Sequence, residues 1–374
     1  MSGALLIYGV TGYSGRLIAE SASQRGLNAL VAGRNAKQTQ CIADSVGLPW
    51  RAAGLDEPRL LDAMLADVAV VLHAAGPFTT TAKPMLQACL RTRTHYLDIA
   101  GELPVFQQAE HLDTEARRNR IMLMPGAGFV VTASDCLAAH VATRTPQARR
   151  LRLATSWPGI MSRGTMRSAL HMVRENVSIR RAGELATVPA GHLQRQFDFC
   201  NGKRLATAVS AADVVTAWHT TGIPNIEAYA HFAPAEALAY QVGSWFAEPL
   251  RLPPVKSIVE SLISMAPDGP SAVRRTGTHN VIIAEAEDPW RRSTCARLTT
   301  PDGYSCTPEI ALGIASRVLS GVFREGFQTP ARVFGTDLIL EVHGARREDL
   351  DEGGGPLGGR AAPLKRSQTT EPHA

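Results

Sequence analysis

Short apolar runs alternate with amphipathic stretches along the first third of the chain. The β-rich runs fall at Ala4–Tyr8, Ala29–Ala32, Trp50–Ala53, Ala69–His73, Tyr96–Ile99 and Ile121–Met124. Between them, Gly15–Gln24, Lys37–Val46, Pro58–Leu65, Thr81–Thr92 and Val105–Asn119 carry helical spacing. This rhythm predicts βαβ units and hence a Rossmann-type, doubly wound parallel sheet, because parallel neighbours need crossover connections.

After Pro125-Gly126-Ala127-Gly128 the pattern loosens. Strand-like Leu151–Ser156, Ile226–Phe232, Val281–Ala286 and Thr294–Thr299 are separated by longer, less regular stretches, and the last two flank Asp288-Pro289-Trp290 as expected of antiparallel neighbours. The chain is therefore α/β, with a second α+β substrate domain. The expected division is a Rossmann domain over 1–128, the substrate domain over 129–305, C-terminal helices over 306–343 that return to the first domain, and a disordered, glycine-rich tail over 344–374. Residues 236 to 265 alternate leucines, isoleucines, Tyr240, Trp245 and Phe246 with polar positions. They read as core helix, lipophilic lid or the arm of a homodimer.

Composition narrows the class without changing this picture. With 374 residues, 45% hydrophobic and 20% charged, the chain is long enough for two or three folded domains and is neither disordered nor fibrous. Its six cysteines are scattered with no C-x-x-C pair, so a metal site and a disulfide framework are not expected and a cytoplasmic location is. The opening apolar run is too short for a signal peptide or a membrane span. The net charge of +5 is uneven: residues 149 to 204 hold eleven basic and three acidic side chains, a local +8. No basic stripe interleaved with aromatics points to nucleic acid, so this region suggests an anionic small molecule or an anionic group tethered to a carrier protein.

The chemistry begins at Gly9-Val10-Thr11-Gly12-Tyr13-Ser14-Gly15, which follows the first strand and opens the first helix. Gly9 suits a tight turn, Gly12 a close approach to pyrophosphate and Gly15 close helix packing, while the helix N-terminus faces the anion. Thr11, Tyr13 and Ser14 lie in the same loop. The second strand ends Gly33-Arg34-Asn35, where an NAD enzyme would place an acid for the ribose 2′-hydroxyl; Arg34 instead suits a 2′-phosphate, so the expected cofactor is NADP(H). Asp56 reads as an adenine contact or a helix N-cap. His73-Ala74-Ala75-Gly76-Pro77 ends the fourth strand, and Ala75, Gly76 and Pro77 are small enough to lie against the nicotinamide ribose.

In the fifth strand, Tyr96 and Asp98 are the candidate catalytic pair, as proton donor or substrate-orienting group, and could equally be buried structural groups. Ser134-Asp135 reads as a helix cap, with Asp135 a candidate substrate contact. Arg163, in Ser-Arg-Gly-Thr at an expected helix start, is the preferred anchor for a substrate anion.

These stretches resemble a known family. The loop G-V-T-G-Y-S-G-R, the A-G-R-N turn, A-A-G-P-F, T-H-Y-L-D-I-A-G-E and P-G-A-G-F…S-D-C-L-A look like the saccharopine dehydrogenase-like NADP-dependent oxidoreductases, in particular the trans-acting enoyl reductases. Ser162–Thr165, Thr221–Ile226, Asp302-Gly303-Tyr304 and Gly326–Pro330 extend the likeness over most of residues 3 to 342. The resemblance implies NADPH-dependent reduction and carries Gly9, Thr11, Gly12, Tyr13, Ser14, Gly15, Arg34, Ala75 and Gly76 over as cofactor contacts. Relatives commonly read G-F-D-V-V-P-S-D where this chain has Gly128-Phe129-Val130-Val131-Thr132-Ala133-Ser134-Asp135, so any role of the first aspartate is lost here. The expected function is hydride delivery to an activated C=C or C=N bond; the alternative is a non-catalytic NADP(H)-binding sensor or interaction protein.

Overall fold

The computed structural model describes residues 3–156, 159, 161–172, 176–200, 202–232 and 253–350. Strands β1 (Ala4–Tyr8), β2 (Ala29–Gly33), β3 (Trp50–Ala52), β4 (Val68–His73), β5 (His95–Asp98) and β6 (Met122–Met124) are all parallel, in the order 3-2-1-4-5-6. Helices α1 (Tyr13–Gln24), α2 (Ala36–Val46), α3 (Pro58–Leu65), α4 (Phe78–Thr92), α5 (Leu103–His111) and α6 (Asp113–Arg118) make the crossovers. The central strands are apolar because helices cover both faces; four of the five β1 residues are buried. Local chemistry sets the helix ends: Asn35 caps α2 by accepting the Gln38 N–H at 3.0 Å, and Gly47 ends it at φ +66°.

Helix α7 (Phe129–Arg144) is buried on most sides and carries the chain into a nine-stranded mixed sheet. Its central pair, β7 (Arg150–Ser156) and β12 (Asn225–His231), is parallel. Around it run antiparallel β8 (Asn176–Arg181), β9 (Glu184–Pro189), β10 (Gln194–Asp198), β11 (Lys203–Ala208), β13 (His279–Glu287) and β14 (Ser293–Pro301). The expected pair across Asp288-Pro289-Trp290 is β13–β14; Asp288 shapes that turn by accepting the Trp290 and Arg292 N–H groups at 2.9 Å. Helices α8 (Arg163–Met172), α9 (Asp213–Thr221), α10 (Pro253–Met265) and α11 (Ala272–Thr276) complete this part of the chain. Of the 236–265 stretch, residues 236–252 lie outside the described residues.

The chain then turns back. Helix α12 (Gly303–Leu319) packs against α1, β1, β4 and β5, and strand β15 (Gly326–Phe327) extends the parallel sheet beside β6. Helix α13 (Pro330–Phe334) and a 3-10 turn at Leu338–Glu341 pack on α7. One continuous apolar core spans both sheets. The tail boundary needs correcting. Arg346–Leu350 forms strand β16 on the edge of the mixed sheet against β14, held by Arg297–Glu348 at 2.8 Å and Arg144–Asp349 at 2.5 Å. A charged segment beside a glycine run disguises a strand whose partners come from elsewhere in the chain. Residues 351–374 lie outside the described residues.

Candidate functional site

Ligands of open parallel sheets bind at the carboxyl ends of the strands, and here that edge is built backbone against backbone. Gly9 sits at φ +96°, and a Cβ on it would stand 2.6 Å from the Ala75 nitrogen; a Cβ on Gly15 would stand 2.3 Å from the Gly9 oxygen. The Gly9 N–H donates to the Ala32 carbonyl at 2.7 Å, and the Ala74 N–H to the Tyr8 carbonyl at 2.8 Å. Helix α1 then starts after Gly12 with no side-chain cap and no acid in its first turn. Its leading N–H groups therefore keep their capacity for an anion, which is the donor set a dinucleotide diphosphate requires.

The adenosine side fits NADP(H) as well. Thr11 and Arg34 are exposed beside Gly33, and Arg34 makes no ion pair among the described residues. Tyr8 closes the wall behind it by donating to the Ala53 carbonyl at 2.9 Å, and burial pushes its phenol up to about 12, so it stays protonated. Asn35 is occupied as the cap of α2. Asp56 is exposed but is not a helix cap, since α3 starts after Glu57, whose carboxylate turns back to the Gly54 N–H at 2.8 Å. On the nicotinamide side, Ala75, Gly76 and Pro77 lie at the end of β4, with Thr81 donating to the Ala75 carbonyl at 2.5 Å. His73 is sealed beneath them, and burial lowers it to about 3, leaving a neutral ring.

Tyr96 and Asp98 are brought together in the interior. Both are fully buried; the Tyr96 hydroxyl donates to Asp98 at 2.6 Å, and the other carboxylate oxygen accepts the Ala100 and Gly126 N–H groups at 2.9 and 2.8 Å. Burial pushes the Asp98 carboxyl up to about 7 while these donors pull it down. The pair staples β5 to the turn before α7, which fits the structural one of the two roles expected of it. The helix-cap reading of Asp135 needs correcting. The helix it was expected to cap begins at Phe129, so it sits in the middle of α7, fully buried, with its carboxylate bonded to the Thr220 hydroxyl at 2.6 Å and the Ala331 N–H at 2.8 Å.

The expected anion anchor is also satisfied internally. Arg163 pairs with Asp268 and donates to the Ser264 carbonyl at 3.1 Å. Part of the local +8 is offset in the same way by acids distant in sequence: Arg150 by Glu287, Arg152 by Glu285 and Glu287, and Arg195 by Glu285.

What does face the edge is a hydroxyl cluster for which the sequence suggested no role. Tyr304, in the first turn of α12, accepts the Ser162 N–H at 2.7 Å and shares a hydrogen bond with Thr165 at 2.8 Å; Ser162 and Thr165 bond each other at 3.0 Å. The Tyr304 ring meets Tyr13 edge-on at 5.2 Å, and Ser168 donates to Glu102 at 2.6 Å, so α8 lies across the carboxyl edge from the glycine loop to the start of α5. The motifs Ser162–Thr165 and Asp302–Tyr304 were the available signal, but only the fold brings them together. Among the described residues, no group of three or more His, Cys, Asp or Glu is placed to hold a metal ion, and no helix is long and apolar enough to cross a membrane.

Residues 5–124 match the family description "saccharopine dehydrogenase NADP binding domain". That likeness is confined to the first domain of the chain. Curated relatives named trans-acting enoyl reductase come from Mycobacterium ulcerans, 30% identical over 38% of this chain and 36% of that protein, and Mycobacterium leprae, 33% identical over 35% and 33%. The chain thus aligns with about a third of the length of these relatives. Among solved structures, apo saccharopine dehydrogenase (L-Glu forming) from Saccharomyces cerevisiae covers 93% of this chain and 100% of its own at TM-score 0.61 and 13% identity. Homospermidine synthase from Legionella pneumophila, in complex with NAD, covers 99% and 96% at TM-score 0.66 and 8% identity. These two likenesses establish a shared fold for the NADP-binding domain and the sheet that follows it.

Proposed function

We propose that the protein is an NADPH-dependent reductase that delivers hydride to an activated C=C bond. The observation that carries this reading is the covered edge: an uncapped glycine-loop helix for the diphosphate faces a hydroxyl cluster supplied by α8 and the start of α12. The cofactor supplies the hydride when bound. The residues of this chain hold it through Gly9–Gly15 and Arg34, lay Ala75–Pro77 against its ribose, and offer Ser162, Thr165 and Tyr304 to the carbonyl or imine that activates the acceptor bond. Likeness to trans-acting enoyl reductases favours C=C over C=N and a substrate presented on a carrier protein.

Two features of the earlier expectation change. The substrate's polar end is held by hydroxyls rather than by Arg163, and the proton that completes the reduction comes from solvent through this hydroxyl cluster rather than from a buried carboxylate. The test is incubation with NADPH and an α,β-unsaturated pantetheine thioester or a cyclic imine, followed at the nicotinamide absorbance. Turnover of the thioester supports the reading, and turnover of the imine alone moves it to C=N reduction. Tight NADPH binding with no turnover of either acceptor or of carrier-bound enoyl substrates would favour a cofactor sensor.

A further inference from the structure

The positive end of α1 has an unexpected neighbour. Helix N-termini favour anions and disfavour cations, yet Arg275 of α11, more than 250 residues away in sequence, is held one tyrosine side chain from this one. Its guanidinium donates to the Tyr13 hydroxyl at 2.5 Å, with its carbon 5.9 Å from the ring centre; Tyr13 in turn donates to the Pro270 carbonyl at 2.5 Å. The seat is tailored: a Cβ on Gly269 would stand 2.7 Å from the Tyr13 ring, so only glycine lets this segment lie flat against it.

The Arg275 guanidinium has no direct carboxylate partner among the described residues, and its Nε is buried with no hydrogen-bond partner. Asp302, the acid whose charge bears on it without pairing, has one carboxylate oxygen, Oδ2, committed to the Tyr304 and Ser305 N–H groups at 3.0 and 3.1 Å. A guanidinium with no paired carboxylate, one side chain from a helix start without a cap, presents two positive features that one dianion would satisfy together.

We propose that Arg275 is a cofactor-binding residue of the second domain, which reaches the diphosphate of NADP(H) from beside the glycine loop, carried by Tyr13. This rests on the dinucleotide reading above. It also gives the role expected of Tyr13 a specific form: the phenol carries the arginine, while the backbone of the same residue meets the phosphate. Because the guanidinium addresses the diphosphate and Arg34 the 2′-phosphate, the two arginines should separate by ligand.

The test is direct titration of the full chain by intrinsic fluorescence or calorimetry with NADPH, NADH and adenosine 2′-monophosphate. Arg275→Gln keeps a donor for Tyr13 and loses the charge, so it stands in if Arg275→Ala does not fold. The expected result is a loss of about tenfold or more for NADPH and for NADH alike, with a shallower salt dependence and unchanged binding of adenosine 2′-monophosphate. Unchanged binding of both dinucleotides by Arg275→Gln would overturn the proposal, as would a loss shared equally by adenosine 2′-monophosphate. Failure of the unaltered protein to bind any dinucleotide would instead overturn the reading on which the proposal rests.

Discussion

Arg34 and Arg152 both stand on or just after a strand, and their surroundings are opposites. Arg34 follows β2 in the open, with no carboxylate partner among the described residues. Arg152, on β7, has a side chain only 9% exposed and lies within 2.9 and 3.0 Å of Glu285 and Glu287 on the neighbouring strand. An arginine whose fold leaves it unpaired beside the glycine-loop edge is poised for a ligand, while one met by three glutamates, Glu227 among them at 3.7 Å, is part of the sheet. Charge counted along the sequence ranks them the other way, because the +8 of residues 149 to 204 omits the acids that β12 and β13 bring alongside.

The largest effect that would break this comparison belongs to Arg152. Arg152→Ala strands Glu287, and partly Glu285, in a half-buried setting, so it should cost about 3 kcal/mol in denaturant unfolding while leaving NADPH affinity unchanged. A variant as stable as the parent would show that this cluster is solvated surface after all.

Next in size is the pH dependence set by Asp98. Its folded carboxyl is pushed up to about 7 by burial, against 3.8 for the ordinary group, so the folded chain holds the proton more tightly than the unfolded chain does. The stability this contributes is fully present below about pH 4 and is lost as pH rises through about 7. Asp98→Asn should flatten that fall by about 2–4 kcal/mol, with Asp135, also raised to about 7, leaving a residual slope. A catalytic Asp98 would instead change the turnover profile and leave the unfolding profile in place.

The smaller, ligand-specific effect is at Arg34. Arg34→Ala should weaken NADPH by about tenfold or more, from ~1.5–3 kcal/mol for a charge-assisted contact, and leave NADH and the melting temperature where they were. Equal affinity of the unaltered protein for NADPH and NADH would remove Arg34 from the site.

What could be read from the sequence follows the same division between local and distant partners. The parallel sheet was legible because each βαβ unit is specified within a short window: a buried run, a turn and an amphipathic helix. The strands β8 to β11 were not, since half-exposed edges such as Glu184–Pro189, with no fully buried residue, show no run to find. Gly9, Gly12 and Gly15 announced themselves by spacing, whereas Tyr304 and Arg275 acquire meaning only beside Thr165 and Tyr13. Ser134-Asp135 misled for the complementary reason: a residue pair typical of helix starts stands inside a helix that Gly128 had already begun, where Thr220 and Ala331 supply its partners.

Arg163 gives the smallest expected effect and the sharpest edge to the comparison. Its motif suggests an anion anchor, and its charge is shared with Asp268 across a pair whose side chains are 33% and 59% exposed. Pairs exposed to this degree are worth about 0.2–1 kcal/mol, so Arg163→Ala should barely move stability. It should also leave the KM for an enoyl thioester within about threefold of the parent, because a guanidinium already paired with a carboxylate has little field left for a substrate. Asp268→Asn decides whether the pairing is the reason: freeing Arg163 should lower the KM for an acidic carrier-bound substrate and make it salt-dependent. If Arg163→Ala instead raises KM by about tenfold or more at unchanged NADPH affinity, the ion pair opens when substrate arrives. Arg163 would then stand with Arg34, on the ligand side of the division.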